Sequence, residues 1–227
     1  MTLHSEHPAV VDGRTLFPST VREPDGSTRL LKSGHNNAKL GKTVEKGAWA
    51  GMPLYSLSLE ERATCPRTCQ EWANCYGNRM PFAQRFKSGK VLEKRLEREI
   101  AGLAAEHCYT GFVVRLHVLG DFYSANYVAL WARLLKRHPG MRVFGYTARQ
   151  SRPSGRSIGR LIMALRQAYP QRFVIRLSGV EAITVPGQLL VPEGAIVCPA
   201  QTAQSLCCAT CGLCWTATEK VIAFVAH

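Results

Sequence analysis

FVVRLHVLGDFYSANYVALWARLLKRHPGMRVFGYTA, Phe112 to Ala148, reads as strand, helix and strand in that order. The first run is rich in β-branched residues and ends at Gly120, the pattern of a buried strand. Ser124 stands where an N-cap belongs. Tyr127, Leu130, Trp131, Leu134 and Leu135 share one helical face, and Pro139-Gly140 ends the helix. RVFGYTA, Arg142 to Ala148, is the second strand. A helix between two strands makes a crossover, so the strands are expected to run parallel.

The alternation continues outward. Upstream, PLYSLSL (53–59) alternates apolar and polar residues like a strand. KVLEKRLEREIAGLAAEH (90–107) puts Leu92, Leu96, Ile100, Leu103 and Ala104 on one helical face. Downstream, SIGRLIMALRQAYP (157–170) is a helix built on Ile158, Leu161, Ile162 and Leu165. RFVIRLSG (172–179) and GAIVCP (194–199) read as strands, and KVIAFVAH (220–227) closes the chain as another. The expected class is α/β, with a parallel sheet or partial (βα) barrel followed by a C-terminal cysteine-rich loop. Three regions are expected: an irregular basic arm over 1–48 that contains Lys39, Lys42 and Lys46, an α/β domain over 49–196, and a cysteine segment with the closing strand over 197–227.

The 227 residues suffice for one good core. No apolar run reaches the roughly 18 residues of a membrane-spanning helix. MTLHSEHPAVVDGRTLF lacks the basic and apolar regions of a secretory signal. A cytoplasmic location follows as the expectation, and structural disulfides are uncommon there. The cysteine count is nine, an odd number, and metal explains it better than a disulfide framework.

The net charge of +13 is unevenly spread. Between Phe122 and Val180 there is no Asp or Glu. The same stretch carries Arg133, Lys136, Arg137, Arg142, Arg149, Arg152, Arg156, Arg160, Arg166, Arg172 and Arg176. This asymmetry points to a polyanionic partner, nucleic acid or a nucleotide first. Arg149, Arg152, Arg156 and Arg160 fall in TARQSRPSGRSIGR, a loop leading into a helix, and guanidinium forks suit phosphate oxygens.

In parallel α/β folds ligands collect beyond the C-terminal ends of the strands. Five features fall there: the group Cys65, Cys69 and Cys75; Gly120-Asp121; Thr147-Ala148-Arg149; Ser178-Gly179; and Cys198-Pro199. One rim of one sheet is expected to gather them.

VCPAQTAQSLCCATCGLCW, Val197 to Trp215, carries the tight repeat Cys208-x2-Cys211-x2-Cys214 with a remote Cys198-Pro199. Thiolates three apart in a curled loop reach different irons of a [4Fe-4S] cluster. Cys207 fits the register as well as Cys208, and zinc is the alternative metal. Cys65-x3-Cys69-x5-Cys75 has no obvious local fourth ligand, so a four-iron cluster there would keep an open iron unless Cys108, His117 or His227 completes it. Cys108 is expected to be a buried thiol and His117 a core histidine. Asp121 could accept from an amine or open the next helix, and Ser178 could bond a sugar hydroxyl or simply make a turn.

A strand, a three-cysteine loop, a helix and a strand ending in Gly-Asp resemble the first half of a radical S-adenosylmethionine enzyme. That resemblance implies Cys65, Cys69 and Cys75 as ligands of a [4Fe-4S] cluster, Gly120 and Asp121 as the contact to the methionine amine, and Ser178 as a ribose contact. It also implies S-adenosylmethionine as cofactor and an external electron donor. CPRTCQEWANCY, LHVLGDFYS, VFGYTAR, CPAQT…CATCGLCW and FVAH together resemble the phage and plasmid family of gene product 88 domain proteins. This implies a mobile-element context and no particular activity. Two functions follow as expectations. One is an iron–sulfur enzyme with two clusters acting on a nucleotide or nucleic acid. The other is a non-catalytic nucleic-acid-binding protein whose zinc or iron–sulfur sites are structural.

Overall fold

The computed structural model describes residues 2–150, 157–187, 190–216 and 218–226. In chain order the helices are α1 (Pro8–Val11), α2 (Glu61–Thr64), α3 (Lys90–Glu106), α4 (Ala125–Arg137), α5 (Ile158–Ala168) and α6 (Cys208–Cys211). The strands are β1 (Val21–Arg22), β2 (Lys32–Ser33), β3 (Leu54–Ser56), β4 (Arg85–Phe86), β5 (Phe112–Leu116), β6 (Met141–Thr147), β7 (Phe173–Leu177), β8 (Ala182–Val185), β9 (Ile196–Val197) and β10 (Ile222–Val225).

The main sheet has the order β2-β3-β5-β6-β7, with β3, β5, β6 and β7 parallel and β2 antiparallel at one edge. Each crossover adds its strand beside the preceding one. The helices start and stop for the reasons read from the chain. Ser124 caps α4 by accepting from Tyr127 N, Ser157 caps α5 by accepting from Arg160 N, and Pro139-Gly140 follows the end of α4.

Strand alternation divides the sheet into two faces. Val114, Leu116, Val143, Phe173 and Ile175 join Leu96, Ile100, Trp131, Leu134 and Ile162 from α3, α4 and α5 in the larger core. The opposite face presents Val113 and Phe144 to Leu40, Val44, Trp49, Met52, Cys207, Ala209 and Trp215. Helices therefore cover one face, while the N-terminal arm and the cysteine segment cover the other. Trp49 stacks on Trp215 at 5.4 Å, and Trp215 meets Phe144 edge-on at 4.7 Å.

The class is α/β with parallel-dominated sheets. Two details differ from expectation. The strands of GAIVCP and KVIAFVAH leave the main sheet for a second one of order β8-β10-β9, entirely parallel, in which the unpredicted β8 pairs with β10. Among the described residues the main sheet is open, with no barrel closure. β9, two residues long and half-buried, pairs with β10 and does not extend the main sheet.

The arm is irregular but packed. Leu3, Ala9 and Val10 cluster with Leu16 and Trp72, a residue of the first cysteine loop. Further on, Lys39 O and Leu40 O accept from Cys208 N and Ala209 N, and Glu45 N donates to Ala209 O. Gly41 has φ +83, and a Cβ there would lie 2.6 Å from both Cys207 Sγ and Ala209 Cβ. Only glycine permits that approach.

Candidate metal centres

The first cysteine loop follows β3 and the single turn α2. Cys65 is the C-cap of α2, Cys69 N donates to Pro66 O, and Cys75 precedes the short 3-10 turn of Tyr76–Arg79. A fully buried ion pair holds this loop: Arg85 Nε donates to Glu61 Oε2 at 2.7 Å and Nη2 to Oε1 at 3.2 Å. The remaining Arg85 donors reach Gly77 O, Met80 O, Ala83 O and Thr20 Oγ1. Arg62, also buried, donates to Trp72 O, Arg14 O and Asn78 Oδ1.

Burial pushes the Cys65 thiol well up, and the charges of Asp121, Cys75, Cys69 and Glu61 push it further. Burial also raises Cys69, and raises Cys75 to about 11. Thiols in such surroundings stay protonated until a cation neutralises them, so metal binding here would release protons.

Four of the five rim features meet around this loop. Asp121 N donates to Thr64 Oγ1 at 3.2 Å, while Asp121 Oδ1 accepts from Thr147 Oγ1 and Phe122 N, both at 2.7 Å. Its Oδ2 accepts from Ala148 N at 2.8 Å. Ser178 N donates to Thr147 O, Arg149 Nη2 donates to Thr64 O, and Gln70 lies where a Cβ on Gly179 would be. Gly120, at φ +89, lets the turn approach to where a Cβ would be 2.7 Å from Leu59 Cβ and Thr64 Oγ1. Burial pushes the Asp121 carboxyl up to about 6 against the pull of its three donors. Both its oxygens are committed to binding the ends of β5 and β6 together.

The fifth feature, Cys198-Pro199, lies beyond β9 in the second sheet and belongs to a separate centre. Cys198, Cys208, Cys211 and Cys214 line one cavity with Pro199, Leu213 and Trp215. Cys207 is not among the lining residues; it packs with Leu40 and Ala209, and its N donates to Thr210 Oγ1. Behind the cavity stands the arm-covered face of the main sheet. Tyr146 OH donates to Cys214 Sγ at 2.8 Å, and Arg176 donates to Cys214 O and Thr216 O at 3.2 and 2.8 Å. Burial raises Cys214 to about 12, Cys208 adding to the rise, while Tyr146 and the Arg115 charge oppose it. Burial and the neighbouring Cys214 hold the Tyr146 phenol high, so it remains a donor.

Among the described residues no three Cys, His, Asp or Glu side chains converge closely enough to hold a single metal ion. Cys198, Cys208, Cys211 and Cys214 share one cavity, and Cys65, Cys69 and Cys75 lie on one loop. The donor chemistry fits iron–sulfur or zinc, and the buried Arg115 Nε, which lacks a hydrogen-bond partner among the described residues, fits an anionic metal–thiolate group.

Cys108 is exposed, because it falls past the end of α3 where the apolar face has already stopped. His117 is buried, bonded to Tyr127 OH at 3.0 Å and packed on Phe122; burial lowers it to about 3. Arg160 is exposed in the first turn of α5. Arg152, Arg156 and His227 lie outside the described residues. Much of the basic stretch serves the fold: Arg166 forks onto Glu181, Arg172 and Arg142 bond Pro139 O, Arg176 braces the cysteine segment, and Arg133 pairs with Glu97.

The sequence reading missed Arg115, Tyr146, Arg176, Arg85 and Glu61. A signal for three of them was present. FVVRL, VFGYT and FVIRL each place a polar residue inside a parallel strand with both faces covered, where both faces are normally apolar.

The fold and its centres define an α/β protein with seven thiols gathered at two places. A model of the family described as Gene product 88 matches residues 29–184, more than half of the chain, and the chain belongs to that family. The match includes the first cysteine group, Asp121 and Ser178, and ends before Cys198. No curated protein and no solved structure matches, so the resemblance to radical S-adenosylmethionine enzymes gains no support. Among the described residues no helix is long and apolar enough to cross a membrane.

Proposed function

We propose that this is an iron–sulfur protein with two thiolate centres of different kind. The observation that carries the reading is the shared cavity of Cys198, Cys208, Cys211 and Cys214, a full set of four thiol ligands with Cys207 turned into the core. A coordinatively full centre suits electron storage or transfer, or a structural role. Cys65, Cys69 and Cys75 supply three thiols next to Asp121 and Glu61, so a cluster there keeps a position open for a substrate or cofactor. The rim residues do not favour cleavage of S-adenosylmethionine. Asp121 has both oxygens occupied by Thr147, Phe122 and Ala148, and Gly120 serves close packing.

The test is metal and sulfide analysis with electron paramagnetic resonance on anaerobically purified protein. It compares the parent with variants lacking Cys65, Cys69 and Cys75, or Cys208, Cys211 and Cys214. Independent loss of about four irons from each variant is expected. Zinc at both centres would overturn the cluster assignment.

A second reading, nucleic-acid binding, draws on the net charge of +13 and on Arg149, whose guanidinium reaches the backbone beside Cys65. It expects affinity for single- or double-stranded oligonucleotides to fall steeply with salt, and to weaken in Arg149→Ala. Salt-independent affinity would refute it.

A further inference from the structure

The cavity of the C-terminal centre is built from two sources. Its lining comes from the terminal segment, and the arm-covered face of the main sheet supplies the side chains that bond Cys214 from behind. Arg115, Tyr146 and Arg176 project from β5, β6 and β7 on that face, where Tyr146 pairs in register with Arg176. Such polar residues are costly on a covered sheet face unless something compensates them. Arg176 is compensated by the carbonyls of Cys214 and Thr216, which fixes the position of the last thiol. Tyr146 donates to the sulfur itself at 2.8 Å. Arg115 is a cation acting on both Cys208 and Cys214, with its Nε buried and unbonded among the described residues.

The geometry points to Tyr146 and Arg115 as positioning residues that set the electronic character of the metal bound by Cys198, Cys208, Cys211 and Cys214. Tyr146 does so by hydrogen-bonding the Cys214 thiolate, and Arg115 by a positive charge that favours the thiolate form of Cys208 and Cys214. The inference rests on the metal reading above and extends it to the sheet. Hydrogen bonds to thiolate sulfur and nearby positive charge both favour the more negatively charged, reduced form of a cluster. Both residues therefore raise the reduction potential.

Tyr146→Phe keeps the ring, which meets Phe224 edge-on at 5.6 Å, and removes only the hydroxyl. It is expected to retain the parent's iron and sulfide content while its reduction potential moves to a more negative value. Arg115→Met should move it the same way, and Arg115→Lys, which keeps the charge, should restore most of the shift. Tyr55→Phe, whose hydroxyl bonds His107 instead, is the control and should leave the potential unchanged. If the centre holds zinc, cobalt(II) replaces it and the thiolate-to-cobalt charge-transfer band takes the place of the potential as readout. Tyr146→Phe with full metal content and an unmoved potential or band would overturn the inference while leaving the metal reading intact. A parent protein without metal at these cysteines would overturn the metal reading itself.

Discussion

Arg85 and Glu61 carry opposite charges with 0% and 1% of their side chains exposed. A buried pair is a poor source of net stability, but removing one partner strands the other. Arg85→Met is therefore expected to destabilise the protein by about 3–5 kcal/mol in chemical denaturation. Because the pair anchors the loop of Cys65, Cys69 and Cys75, metal at that centre should fall with it. A loss under about 1 kcal/mol would show the pair to be dispensable. His117 yields a prediction about pH. Burial holds its folded value near 3, below the ordinary 6.5. The native state thus binds fewer protons than the unfolded chain between these limits. The stability tied to neutral His117 is complete above pH 6.5 and is lost as pH falls toward 3. His117→Gln keeps a partner for Tyr127 and does not titrate, so its stability should fall less steeply on acidification. Asp121, raised to about 6, acts in the opposite direction but is present in both proteins and cancels in the comparison. Parallel stability–pH curves for parent and variant would refute the assignment.

At the scale of elements, Gly120 ties the turn after β5 to the cysteine loop. Alanine there must adopt φ +89 and place Cβ 2.7 Å from Leu59 Cβ and Thr64 Oγ1. Positive φ and overpacking together should cost about 2–4 kcal/mol, read as a lowered denaturation midpoint. A midpoint equal to the parent's would mean that the turn can shift without loss. The helices α3, α4 and α5 were legible from the chain because their apolar spacing, caps and stop signals are local. β5, β6 and β7 were legible for the same reason. β9 was legible as a strand but not by its sheet, since pairing depends on which partner is near. Cys108 misled because a few apolar neighbours in sequence do not make a buried face in space. The basic stretch shows the same dependence on tertiary context. Arg166 pairs with Glu181, while Arg172 and Arg176 donate to backbone carbonyls, contacts that the sequence alone does not reveal.

At the scale of the molecule, the N-terminal arm and the C-terminal cysteine segment cover the same sheet face and each other. Lys39, Leu40 and Glu45 bond the backbone of the turn holding Cys208 and Cys211, and Trp49 stacks on Trp215. Metal that closes the four-thiol cavity should therefore also hold the arm. Removing it with a chelator, or replacing Cys208 and Cys211 by serine, is expected to open the arm to trypsin at Lys39, Lys42 and Lys46 and to change tryptophan fluorescence. Cleavage at an unchanged rate after complete metal loss would uncouple the two. Spacing by itself determined the α/β class, the alternation of α3, α4 and α5 with β3, β5, β6 and β7, and the existence of two cysteine groups, because periodicity, caps and ligand spacing are properties of neighbouring residues. Only the tertiary structure decided that Cys208 and not Cys207 lines the cavity, that Asp121 is consumed in joining strand ends, and that Arg115 and Tyr146 stand behind the last thiols. Those outcomes depend on which surfaces, far apart in the chain, must be buried together.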